Sequence, residues 1–227
     1  MRKNRSQLKT NTMLVLIVAT ILTMIFLSGC VQGPVELDGV EIREYEGQDL
    51  SSIQEFRENS IKGPQYVNKS TYRLMITGLV SQEQSYEYDE ILETFLSYKK
   101  VVTLFCVEGW HVTILWEGVL VSDLLNDAQP TDEANTVIFH ASDGYTTSLP
   151  LDYIGEKNIM LAHSMNNVTL PPERGFPFQL VAESKWGYKW IKWVTEIELS
   201  ADENYEGYWE RRGYANNADI NESFVGD

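Results

Sequence analysis

The chain of 227 residues allows one domain with at most a small appendage. Its formal charge of −15, from 33 acidic against 18 basic residues, argues against nucleic acid as a partner and against electrostatic attachment to anionic lipid. With two cysteines the chain can close at most one intrachain disulfide.

At the N-terminus, Arg2, Lys3, Arg5 and Lys9 precede an apolar run from Met13 to Leu27. That run is short for a membrane span and has the layout of a secretory signal over residues 1–29. Leu27-Ser28-Gly29-Cys30 looks like a lipoprotein box, in which Cys30 becomes the lipidated first residue. Cleavage there removes four basic and no acidic residues and takes the charge to −19. A lipid on Cys30 then supplies the membrane attachment that charge does not, and the expected location is the extracytoplasmic face of the cell membrane. Three glycosylation-type triplets, at Asn68, Asn167 and Asn221, are compatible with that side.

Residues 30–69 read as a tether and N-terminal segment, polar and acidic, with Gly33-Pro34, Gly39 and Gly47 and a short helix over residues 50–57. The domain proper is expected over residues 70–227. It opens with an alternating strand over residues 72–80. A short helix follows, capped by Asp89, carrying Ile91, Leu92, Phe95 and Leu96 and ended by Lys99-Lys100. The apolar stretch Val101-Val102-Thr103-Leu104-Phe105-Cys106-Val107-Glu108-Gly109-Trp110 is a strand that delivers Cys106 at its C-terminal end. Residues 114–119 form a strand and turn, and Ser122 caps a short helix. Strands over residues 136–140 and 145–149 flank Ser142-Asp143-Gly144 as a hairpin. Residues 159–164 make another strand, turned at Asn166-Asn167. An ordered loop through Pro171-Pro172 and Gly175-Phe176-Pro177 leads to strands over residues 178–182 and 191–199. Lys185-Trp186-Gly187-Tyr188-Lys189 is a basic, aromatic loop between these last two strands. Many short strands with a few brief helices define a mixed, β-rich α+β domain.

If Cys30 carries lipid, Cys106 is a lone thiol in an exported domain. Two readings stand: a buried core cysteine, or a thiolate held by a soft metal. The chain has no nucleophile elbow, P-loop, dinucleotide fingerprint or HExxH-type zinc motif. His140 and His163 lie on apolar strands and read as satisfied core residues, whereas His111, five residues beyond Cys106, could face whatever Cys106 binds. Arg174, Lys185, Lys189 and Lys192 cluster beside glycines, either to hold a phosphate or to neutralise neighbouring acids.

From about Tyr72 to Asp219 the chain resembles the molybdopterin-binding domain of the sulfite oxidase family, most closely its smaller bacterial and archaeal members. Cys106-Val107-Glu108-Gly109-Trp110 resembles that group's Cys-Val-Glu-Ala-Trp, and Trp116-Glu117-Gly118 resembles the Trp-x-Gly that follows it. Asp143-Gly144-Tyr145, Met165-Asn166-Asn167 and Leu170-Pro171 match further segments. Gly175-Phe176-Pro177 and Gly187-Tyr188-Lys189-Trp190-Ile191-Lys192 resemble the loops that hold the pterin phosphate, and Gly207-Tyr208-Trp209-Glu210-Arg211-Arg212-Gly213-Tyr214 resembles the C-terminal tail of these relatives.

The resemblance implies a molybdenum-molybdopterin cofactor, with tungsten as the alternative metal, and Cys106 as the metal ligand. It implies Arg174, Lys189, Trp190, Ile191 and Lys192 as cofactor contacts. The expected reaction is two-electron oxygen-atom transfer to or from a small molecule or an oxidised side chain, with Trp110 and His111 walling the substrate pocket. Sulfite is not the favoured substrate, because Glu108, Trp110 and His111 surround Cys106 where sulfite oxidases place arginines. No Cys-x-x-Cys-His haem motif occurs, so electrons pass through a separate partner, a cytochrome or a membrane subunit. A monomer is the default. The rival expectation is a cofactor-free lipoprotein scaffold of the same fold, motivated by Gln179 where the family usually has arginine and by the lack of an Arg-Arg pair near the N-terminus.

Overall fold

The computed structural model describes residues 39–226, which belong to one compact unit. The expected signal segment, the lipobox and Cys30 lie outside the described residues.

The first described elements are two-residue strands, β1 (Glu44–Tyr45) and β2 (Gln48–Asp49), joined through Glu46 and Gly47. The helix expected over residues 50–57 does not form. Leu50, Ile53 and Phe56 recur at near-helical spacing, yet each is buried against the main body while the intervening backbone stays in turns. Instead of acting as a spacer, residues 50–61 pack onto the domain.

The chain then forms β3 (Leu74–Gly78), β4 (Gln84–Tyr86) and α1 (Tyr88–Thr94). The cap of α1 is Glu87, not Asp89: its side chain takes the N–H of Glu90 and the Glu90 carboxylate returns the contact, a reciprocal capping box. Lys99 and Lys100 do not end this helix but lie within β5 (Ser97–Phe105). β6 (His111–Leu120) is followed by α2 (Val121–Ala128), whose N-cap is Leu120 rather than Ser122. The expected hairpin forms as β7 (Thr136–Ala141) and β8 (Thr146–Pro150), ahead of α3 (Leu151–Glu156). β9 (Met160–Met165) turns into β10 (Val168–Thr169) through Asn166 and Asn167, which take φ +48° and +66°. Asparagine tolerates that left-handed region better than other side-chain-bearing residues. β11 (Gln179–Val181) and β12 (Val194–Ser200) complete the set.

These strands build two five-stranded sheets. One runs β10-β9-β6-β5 with β11 also on β9, and all its pairings are antiparallel. The other runs β4-β3-β12-β7-β8, with β12 parallel to β3 and antiparallel to β7. The sheets share one core, in which Leu74, Ile76, Ile114, Trp116, Phe139 and Ile197 are fully withdrawn from solvent. β6 and β9 approach closely at Gly118, where an added Cβ would lie 2.0 Å from the carbonyl oxygen of Leu161. Only glycine fits a contact between two backbones at that distance.

Candidate active site

Cys106 follows the last residue of β5 and begins the turn into β6. Its N–H donates to the carbonyl of Trp110 at 2.9 Å, and Gly109, at φ +89°, donates its N–H to the carbonyl of Cys106 at 3.0 Å. The left-handed glycine completes a three-residue hairpin loop, so the cysteine is aimed by the turn itself. The residue is 8% exposed and lines a cleft of about 440 Å³. Burial pushes this thiol above its ordinary pKa, and the Glu108 carboxylate adds to the rise, while N–H donors from the Glu108 backbone and from Asn59 oppose it. On the rim, Trp110 donates its indole N–H to Glu108 at 3.0 Å and packs its ring against Phe56, 6.1 Å between centroids.

Trp190, Ile191 and Lys192 also line the cleft. The Trp190 ring rests 5.7 Å from that of Trp116, and its indole N–H donates to the carbonyl of Lys185 at 2.9 Å, which ties this loop to the core. Gly187 lets the loop approach the cysteine: an added Cβ would lie 3.2 Å from the Phe105 carbonyl and 3.6 Å from Cys106 Cα. Lys192 donates to Glu58 at 2.5 Å and to the carbonyl of Glu173 at 3.3 Å. Arg174 also lines the cleft, but its guanidinium is engaged: it donates to the carbonyls of Ile53 at 3.0 Å and Phe56 at 2.7 Å, and lies 3.9 Å over the Phe56 ring.

Two expected site residues lie elsewhere. Lys189 is fully buried behind the cleft, donating to Glu210 at 2.6 Å, to the carbonyl of Ser148 at 3.1 Å and to Asn216 at 3.2 Å. An ammonium that buried needs a counter-charge, and the tail supplies it. His111 is exposed and stacks on Phe105 rather than lining the cleft; as the first residue of β6 it alternates away from the face that Cys106 serves. Lys185 points away too, toward Asn217 and the Tyr153 ring. Burial lowers the pKa of all three lysines, 185, 189 and 192. His140 pairs with Glu198 at 2.9 Å, and His163 meets Ser97 at 3.2 Å, which leaves both as satisfied structural residues.

Other lining residues were not singled out beforehand. Phe56, Arg57, Glu58 and Asn59 arrive from the segment expected to be a tether, and Trp209 and Tyr214 arrive from the tail. The apolar spacing of Leu50, Ile53 and Phe56 was the available signal that this segment packs.

The donor set bears on what the cleft holds. Among the described residues no group of three or more His, Cys, Asp or Glu could hold a metal ion, so a metal on Cys106 must bring its remaining ligands with it. A soft thiolate, a cleft of cofactor size, and Lys192 and Arg174 in its lining fit a metal chelated by an anionic organic cofactor.

Comparison with known proteins bears this out. Residues 61–209 match the family described as oxidoreductase molybdopterin binding domain. The chain belongs to this family of molybdenum-cofactor oxidoreductases and has the β-rich sulfite oxidase-type fold. It is 34% identical over 152 residues to the "Uncharacterized oxidoreductase YuiH" of Bacillus subtilis (strain 168), covering 66% of this chain and 76% of that one. It is 30% identical over 145 residues to the "Protein-methionine-sulfoxide reductase catalytic subunit MsrP" of Gluconobacter oxydans (strain 621H), covering 56% of this chain and 46% of that one. The chain thus spans three quarters of the first relative and about half of the second. The sulfane dehydrogenase SoxCD of Paracoccus pantotrophus superposes with a TM-score of 0.65 at 22% identity, over 82% of this chain and 52% of that one, and this likeness concerns the fold.

Proposed function

We propose that the protein is a lipid-anchored, outward-facing molybdopterin oxidoreductase that moves an oxygen atom to or from a neutral small molecule or oxidised side chain. The observation that carries this is buried Cys106, held by its hairpin at a cleft that Lys192 and Arg174 also line. Bound there, the cofactor would supply a two-electron metal centre able to exchange an oxo group.

The chain's own residues orient and enclose. Cys106 would ligate molybdenum, or tungsten in its place. Lys192 and the backbone of Trp190 and Ile191 would hold the cofactor's anionic end, and Arg174 fixes the segment that covers it. Phe56 and Trp110 form an aromatic wall beside the sulfur. With Lys192 assigned to the cofactor, the other cations lining the cleft have partners: Arg174 with carbonyls, and Arg57 in a loose pair 3.8 Å from Glu108. That leaves little attraction for an oxyanion such as sulfite and favours a sulfoxide or N-oxide, in keeping with the name of the Gluconobacter relative. A separate cytochrome or membrane subunit would exchange the electrons with a monomeric enzyme, anchored through Cys30 at the extracytoplasmic face.

Metal analysis of protein purified from its host membrane tests the proposal. About one molybdenum or tungsten per chain is expected, with sulfoxide-dependent oxidation of a reduced dye, and Cys106→Ser should lose both. Full activity in Cys106→Ser overturns it.

A further inference from the structure

The sulfur of Cys106 has one side-chain donor that reaches it from a distant segment. The carboxamide Nδ2 of Asn59 donates to Cys106 Sγ at 3.7 Å, across 47 residues of sequence. Sulfur bonds are longer than those to oxygen, and this one does not stand alone. The Glu108 carboxyl is held below its ordinary pKa by the Trp110 indole N–H first and by an Asn59 hydrogen bond second.

The segment carrying Asn59 is held on both sides. Arg174 grips the carbonyls of Ile53 and Phe56, Glu58 takes Lys192, and the Phe56 ring packs on Trp110. The Glu108 backbone N–H, in the cysteine's own hairpin, also favours the thiolate.

We propose that Asn59 is a positioning residue for the Cys106 sulfur, an amide donor that draws electron density from the thiolate and raises the reduction potential of the metal it binds. This rests on the function proposed above. Hydrogen bonds to a ligating sulfur weaken its donation to the metal and so favour the reduced centre. Asn59 lines the same cleft, and its effect on the metal would pass through Cys106.

The test is a redox titration of the holoenzyme, following its paramagnetic molybdenum signal, for wild type, Asn59→Ala and Asn59→Asp. Asn59→Ala removes the donor, while Asn59→Asp keeps the shape and substitutes a charge that repels the thiolate. The midpoint potential of the metal-loaded fraction should fall in the order wild type, Asn59→Ala, Asn59→Asp. Equal or rising midpoints overturn the proposal.

Where a chain carries no metal, the thiol itself is read by its rate of alkylation with iodoacetamide at fixed pH. The near-isosteric Asn59→Asp should react several-fold more slowly than wild type, because the thiolate is the nucleophile and has lost its donor; equal rates overturn the assignment. A wild-type protein without molybdenum or tungsten refutes the proposed function, and the alkylation rates still judge Asn59.

Discussion

Glu210, in the C-terminal tail, holds the ammonium of Lys189 at 2.6 Å with neither side chain exposed to solvent. Thr147 donates to the same carboxylate oxygen at 2.9 Å. The pair fastens the tail that carries Trp209 and Tyr214 to the loop that carries Trp190 and Lys192, so two walls of the cleft depend on it. Glu210→Gln strands the Lys189 charge and should cost about 3–5 kcal/mol in urea unfolding. Joint replacement by Lys189→Met and Glu210→Leu should recover most of that loss, because the uncompensated charge is gone.

Trp110→Ala should lower kcat/KM by about tenfold or more, equivalent to roughly 1.4 kcal/mol of transition-state stabilisation, because it removes the wall beside Cys106. His111→Ala should stay within about twofold, since its ring faces Phe105 outside the cleft. Steady-state kinetics with one sulfoxide substrate separates them, and the reverse order would place the substrate on the other face of the hairpin.

Gly118→Ala should destabilise the chain by about 3 kcal/mol or more, since overpacking against backbone has no flexible side chain to yield. The added methyl would lie 2.0 Å from the Leu161 carbonyl oxygen and 2.6 Å from Ala162 Cα. Thermal unfolding reads the loss directly.

Alkaline pH offers a check on burial. Desolvation pushes the phenols of Tyr72, Tyr145 and Tyr188 well above the ordinary value of 10.0, and that of Tyr153 up to about 12. A phenol whose folded pKa is raised keeps its proton where the unfolded chain has lost it. Its contribution to stability is therefore complete below pH 10 and falls away as pH rises toward the folded value. The buried lysines carry the opposite sign in a lower window, so the steep loss should begin only above pH 10. Phenolate absorbance should rise in two phases, the second together with loss of near-ultraviolet circular dichroism. A single phase near pH 10 in a chain that stays folded would contradict the burial.

Local patterns in the sequence were enough for much of the fold. Alternation and turn residues placed the hairpin of β7 and β8 and the Asn166-Asn167 turn within a residue or two of the structure, and put Cys106 at a strand's end, although β5 begins four residues before the expected Val101. They failed where spacing was ambiguous. Leu50, Ile53 and Phe56 suggest a helix because three-residue steps satisfy one helical face, yet an irregular chain pressed on a core shows the same steps.

For this protein the sequence by itself determined the β-rich class, the family motifs and the strand end that presents Cys106, because each depends on neighbours a few residues apart. Only the tertiary structure decided that β12 pairs in parallel with β3, that Asn59 sits beside the Cys106 sulfur, and that Lys189 turns away from the cleft to Glu210. Those contacts join residues 21 to more than a hundred positions apart. Which partner wins depends on the desolvation cost of each buried charge and on how the whole core packs, and no local stretch of sequence carries that information.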